Sequence, residues 1–167
     1  MKTQRAIFAA GCFWGVQYYF DQVPGVVKTT VGYTGGNTPH PTYDQVASHT
    51  TGHAEAVEII FDPEQVSYKS LLAQFFRMHD PTQLNRQGPD IGDDYRSAIF
   101  YTSPQQHNEA VHVRNDTQKR LDTPIVTEIS KAGPFYQAED YHQKFTERTG
   151  MGMCHIPYAP VGDSSTK

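Results

Sequence analysis

Hydrophobic and polar positions along the chain fall into a few periodic runs, each of which predicts an element. Residues 3–10 close on the unbroken apolar stretch Ala6-Ile7-Phe8-Ala9-Ala10 and predict a strand. Cys12–Phe20 changes to helical spacing, and Val23-Pro24-Gly25 ends that helix before a second strand over Val26–Tyr33. His53–Phe61 alternates strictly enough to assign faces. Glu55, Val57, Ile59 and Phe61 point one way and Ala54, Ala56, Glu58 and Ile60 the other, so Glu55 shares an apolar row. Ser67–His79 carries Leu72, Phe75, Phe76 and His79 at helical spacing, with Pro81 as its stop.

The second half predicts a long polar loop over Asp80–Arg96 and a fourth strand over Ser97–Thr102. A helix to about Leu121 follows, opened by the capping box Ser103-Pro104-Gln105-Gln106. Pro124–Ser130 predicts an edge strand and Asp140–Arg148 a short helix, ahead of a glycine-rich tail over about 149–167 that carries Cys154. The order β-α-β, then β-α-β, then extra elements predicts an α+β fold: a ferredoxin-like, split βαβ two-layer sandwich with an additional helix, strand and long loops. At 167 residues the chain fits one domain, and it contains no repeat.

Composition narrows the partners. The formal charge is -4, from 14 Lys and Arg against 18 Asp and Glu, with no basic run that would fit nucleic acid or an anionic membrane. No apolar stretch approaches a membrane span, and Ala6–Ala10 is too short for a secretory core. Two cysteines are too few for a disulfide framework and fit a reducing compartment. A cytoplasmic, soluble monomer is the expectation. Gly32, Gly35 and Gly36 run into Pro39-His40-Pro41 without a phosphate-binding lysine, so this loop is expected to shape a pocket edge rather than cradle phosphate.

The residue with the most chemistry is Cys12, in Gly11-Cys12-Phe13-Trp14-Gly15 at a strand-to-helix junction. Unpaired amides at a helix start favour a thiol's ionised form, whereas a lone cysteine is more often a buried small hydrophobe. Glu55 is the complementary case. A carboxyl in an apolar row loses hydration and keeps its proton. Phe13, Trp14, Tyr33, Tyr43 and Tyr95 could line a pocket for a small group with one apolar end and one strong hydrogen-bond acceptor. Asp90 and Arg96 flank Tyr95 in a segment without the calcium-loop register. A zinc set of Cys12, Cys154, His155 and His142 matches no familiar spacing, so neither a metal nor a cofactor is expected. On the residues alone a cysteine hydrolase and an aromatic cage for a cation stay open.

Gly11-Cys12-Phe13-Trp14-Gly15, Gly32-Tyr33-Thr34-Gly35-Gly36, Gly52-His53-Ala54-Glu55-Ala56-Val57 and Asn85-Arg86-Gln87-Gly88, followed by Tyr95-Arg96-Ser97, resemble the peptide methionine sulfoxide reductase A family from about Ala6 to Tyr158. The resemblance implies a single catalytic domain in which Cys12 attacks the sulfur of methionine S-sulfoxide while Phe13 and Trp14 hold its methyl group. Glu55, Tyr43 and Tyr95 would bind and protonate the oxygen, and Asp90 would act through water. Cys154 would close a disulfide with the Cys12 sulfenic acid, and thioredoxin would reopen it. Asp94 departs from the family pattern, where many relatives have a neutral residue.

Overall fold

The computed structural model describes residues 2–151. Strand β1 (Gln4–Ala10) leads into helix α1 (Phe13–Asp21), β2 (Val26–Thr34), the short helix α2 (Tyr43–Ala47), β3 (Ala54–Phe61) and α3 (Tyr68–Met78). A hairpin of β4 (Arg86–Gln87) and β5 (Asp90–Ile91) precedes β6 (Ser97–Tyr101), α4 (Pro104–Gln118), β7 (Glu128–Lys131), β8 (Phe135–Gln137) and α5 (Phe145–Thr149). The main sheet has the order β7-β6-β1-β3-β2-β8. Its inner four strands, β6-β1-β3-β2, pair antiparallel with one another, the arrangement of a ferredoxin-like split βαβ unit. β7 adds in parallel on β6 and β8 antiparallel on β2.

The alternation in β3 sets the two layers. Val57, Ile59 and Phe61 join Phe8 of β1 and Phe20, Leu72 and Phe75 of the helices in the main core, whereas Ala54 and Ala56 face a smaller cluster with Ile7 and Phe100. Glu55 therefore points into the helix-covered side. Phe8 lies within 5.0 Å of Phe75 and 5.8 Å of Phe20, ring to ring, which fixes α1 and α3 over the sheet.

Local sequence explains the ends. Ser67 caps α3 by accepting from the Ser70 amide, and Ser103 caps α4 by accepting from Gln106. The expected box at α4 is only half made. The Gln106 side chain instead accepts from Thr102 N and donates to Arg5 O, tying the helix start to β1. A complete box occurs at Thr42 and Gln45, where the periodicity of the sequence predicts no helix. The expected loop over Asp80–Arg96 folds into the β4–β5 hairpin and a 3-10 turn over Asp93–Tyr95, pinned by Gln87, whose side chain bonds both Asp80 N and Asp80 O. Arg96 is not a solvated loop charge: its Nε lies 3.0 Å from Glu128 Oε1 on β7. The expected helix over Asp140–Arg148 is broken, because Lys144 takes a left-handed φ of 58° between a 3-10 turn (Asp140–His142) and α5.

Two glycines are structural requirements. A Cβ on Gly32, which lies inside β2 rather than in the loop, would stand 2.5 Å from both the Phe135 ring and Tyr136 O. Gly11 turns the chain from β1 into α1 at φ 93°, a conformation that strains any L side chain. Gly11→Ala should lower folding stability by about 1–3 kcal/mol, read from the urea midpoint. An unchanged midpoint would mean that the turn can relax.

Candidate active site

β1 ends inside the sheet, and Gly11 reverses the chain so that Cys12 becomes the N-cap of α1, half-buried. The first helical amide, Phe13 N, donates to Glu55 Oε1 at 3.2 Å. This bond joins the thiol's helix start to the helix-facing row of β3. Glu55 is 2% exposed, and its pKa is pushed up to about 8. Burial is the main cause; the Phe13 N–H opposes it, and the negative charges of Asp94 and Asp90 add to it. At neutral pH the group is mostly a protonated acid.

Two phenols stand over this acid. Tyr43 opens α2, and Tyr95 ends the 3-10 turn after the hairpin. Burial raises both pKa values, with the Glu55 charge next in effect; a hydrogen bond between the two side chains counteracts the rise at Tyr43, which also feels Cys12. Both hydroxyls thus remain proton-bearing donors. Asp90 is half-buried on β5, close enough for its charge to act on Glu55 and Tyr95.

The apolar side is built on α1. The Phe13 ring, 1% exposed, lies 5.7 Å from Tyr33 and 5.2 Å from His142. Trp14 stacks on Phe145 at 3.9 Å and an interplanar angle of 9°, and its Nε1 donates to His142 Nδ1 at 2.9 Å. Tyr43 is 4.7 Å from the same imidazole. Cys12, Phe13, Trp14, Tyr43, Glu55, Asp90 and Tyr95 thus come together around one helix start. Cys154 lies outside the described residues.

The segment that holds these parts is not among the site residues the sequence suggests. Glu139 accepts from the Tyr33 hydroxyl and from Tyr43 N, both at 2.9 Å, fastening α2 to β2. Burial acts to raise the Glu139 pKa, but these donors and its own amide hold it below the usual value. Gln143 accepts from Val31 N and donates to Val31 O, continuing the edge of β2. Lys144 N donates to Gln17 of α1, and Lys144 Nζ pairs with Asp21 at 2.7 Å. The sequence signal was present in Glu139-Asp140-Tyr141-His142-Gln143-Lys144, a polar-aromatic run with no helical apolar spacing.

Asp94 proves buried, at 1% exposed. Its Oδ1 lies 2.9 Å from His49 Nδ1, its Oδ2 has no hydrogen-bond partner among the described residues, and burial raises its pKa against the pull of His49. His49, Asp93 and Asp94 are the group among the described residues whose ligand atoms could surround a cation, with His49 Nδ1 2.9 Å from Asp94 Oδ1 and 3.8 Å from Asp93 Oδ1. The zinc set weighed from the sequence is not assembled among them: His142 Nδ1 accepts from Trp14, and Cys154 and His155 are outside the described residues.

A half-buried thiol caps a helix whose first amide bonds a proton-bearing acid, and two phenols and a set of aromatic rings surround the same helix start. The fold beneath them is a ferredoxin-like α+β sandwich. The family described as peptide methionine sulfoxide reductase matches residues 4–167. A protein of Geobacter sulfurreducens named peptide methionine sulfoxide reductase MsrA is 55% identical over 92% of this chain and 96% of its own length. Among solved structures, reduced Mxr1 from Saccharomyces cerevisiae superposes with a TM-score of 0.86 at 31% identity, covering 96% of this chain and 93% of that one. Methionine sulfoxide reductase A of Corynebacterium diphtheriae gives 0.81 at 36%, covering 93% and 84%. The chain belongs to the peptide methionine sulfoxide reductase family. No helix among the described residues is long and apolar enough to cross a membrane.

The raised pKa of Glu55 has a sign for stability. An acid whose pKa is about 8 when folded and 4.5 in its ordinary state favours folding most below pH 4.5, and that contribution is lost as pH rises through 8. Glu55→Gln keeps an acceptor for Phe13 N without the charge. Its thermal midpoint should match that of the wild type at pH 4 and exceed it increasingly up to pH 9. Parallel midpoints across this range would contradict the buried, proton-bearing acid.

Proposed function

We propose that this protein reduces methionine S-sulfoxide, in proteins or as the free amino acid, to methionine, with Cys12 as nucleophile and Glu55 as proton donor. The carrying observation is the shared helix start, with Cys12 as the cap of α1 and Glu55 bonded to the next amide at 3.2 Å. A methyl sulfoxide suits this surrounding: it has an apolar methyl for Phe13 and Trp14 and a strongly accepting oxygen for Glu55, Tyr43 and Tyr95. Asp90 acts through water on the same group.

The Cys12 thiolate attacks the sulfoxide sulfur while Glu55 gives its proton to the oxygen. The sulfur–oxygen bond breaks, the oxygen passes to Cys12, and methionine leaves with Cys12 as sulfenic acid and Glu55 as carboxylate. Cys154 condenses with the sulfenic acid, releasing water and closing a Cys12–Cys154 disulfide. Thioredoxin restores both thiols by exchange and is itself oxidised to its disulfide. The yeast relative Mxr1 forms a complex with Trx2, which supports a reductant of this kind. The cysteine content fits a cycle run in the reducing cytoplasm.

Cys12→Ser should abolish reduction, and Cys154→Ser should yield about one methionine per enzyme without thioredoxin-supported cycling. A burst assay counting methionine checks both, and multiple fast turnovers of Cys154→Ser with thioredoxin would remove that residue from the cycle. Glu55→Gln should slow the single turnover by about 10²–10⁴-fold. An unchanged rate would assign the proton elsewhere.

The wild-type rate should fall as pH rises through about 8, where Glu55 ionises. Asp94→Asn removes a negative charge that opposes this ionisation, so the alkaline limb should move to lower pH. A limb that stays in place would show that Asp94 does not act on Glu55.

A further inference from the structure

The imidazole of His142 is 1% exposed and is the meeting point of the aromatic wall. Its ring lies 4.0 Å from Tyr141, 4.7 Å from Tyr43, 5.2 Å from Phe13 and 5.7 Å from Trp14. An indole nitrogen can only donate, so the 2.9 Å bond from Trp14 Nε1 makes His142 Nδ1 the acceptor. The ring proton must then sit on Nε2, a buried atom with no hydrogen-bond partner among the described residues. The imidazole is therefore held by the bond to Trp14 and by ring packing. Burial lowers its pKa against the pull of Glu139, which agrees with a neutral ring.

We propose that His142 is a positioning residue: by accepting the indole N–H it fixes the plane of Trp14 against Phe145, and so shapes the wall that receives the substrate methyl group. A tryptophan on the first turn of a helix can rotate about two side-chain bonds, and stacking on Phe145 leaves the ring free to slide in its own plane. The bond to Nδ1 removes that freedom. The segment behind it is itself fixed, through Gln143 to β2 and Lys144 to α1, so the acceptor stands on rigid elements. The kinetic consequence rests on the reaction proposed above, whereas the placement of Trp14 rests on geometry alone.

Trp14 is the only tryptophan in the chain, so its emission and indole proton report on this contact without interference. His142→Phe keeps an aromatic ring and removes the acceptor, and His142→Asn puts an amide oxygen where Nδ1 stands. In His142→Phe, acrylamide quenching of Trp14 should rise, and the half-saturating concentration of a methyl sulfoxide substrate should rise about tenfold, with the limiting single-turnover rate within about threefold of wild type. His142→Asn should return both quenching and half-saturation toward wild type. Unchanged quenching and half-saturation in His142→Phe, or an Asn variant no better than the Phe variant, would overturn the assignment.

Should His142→Phe not fold, indole hydrogen exchange in the wild-type chain decides the matter. Slow exchange is expected, and exchange at the rate of an exposed indole would overturn it. If the wild-type protein reduced no sulfoxide, the proposed reaction would fall, while the quenching and exchange measurements would still judge the role of His142.

Discussion

The hydrogen bond from Phe13 N to Glu55 is the contact on which the arrangement turns. A helix start presents amides without intrahelical partners, and β3 carries a carboxyl on its helix-facing row. Each supplies what the other lacks. The bond alone would favour the carboxylate, but burial and the charges of Asp90 and Asp94 outweigh it, and the proton stays. The helix start consequently faces two acidic groups, and the one it touches directly remains neutral. Its favourable field is left for the sulfur of Cys12. A cation in place of the Phe13 amide would have reversed this division by ionising Glu55.

The second constraint is the fastening of the aromatic wall by residues 139–149, which come from the far end of the described chain. Glu139 joins β2 to α2, Gln143 extends the β2 edge, Lys144 ties into α1, and Phe145 lies flat on Trp14. The left-handed backbone at Lys144 lets one short segment do all of this, because it turns the chain between the imidazole and the stacked ring. The aromatic wall is thus an assembly of α1 with a segment more than a hundred residues away. Position along α1 alone would leave Trp14 at a surface.

Much of the frame was legible from periodicity. The strict alternation in His53–Phe61 put Glu55 on the helix side, and the four inner strands and helices α1 and α3 fall where apolar runs and spacing place them, because each buries a face against the main core, while α4 follows its capping residue Ser103. Some of the short elements, α2, β4 and β5, were not legible. α2 has five residues and the β4–β5 strands two each, too few for a period, and they are held by side-chain bonds such as Thr42 with Gln45 and Gln87 with Asp80. At the site, Cys12, Phe13 and Trp14 were readable because they share one helix start. His142 and Glu139 were not, since their role depends on where a distant turn docks.

Asp94 shows how that docking bears on the chemistry. A buried carboxyl is costly unless paired, and the pairing here spans two elements, with His49 just beyond α2 and Asp94 in the turn before β6. The approach is possible because residue 92 is glycine: a Cβ there would stand 2.2 Å from the His49 ring and 2.5 Å from Asp94 Oδ1. The same pair therefore draws α2 toward the turn that carries Tyr95 and sets a negative charge where Glu55 and Tyr95 feel it. Tyr43 and Tyr95, which stand on those two elements, are brought into register by a contact whose carboxylate also adds, after burial, to the rise in the Glu55 pKa. In this chain a charged residue that adds nothing to the apolar wall bears both on the placement of the phenols and, behind burial, on the protonation of the carboxyl.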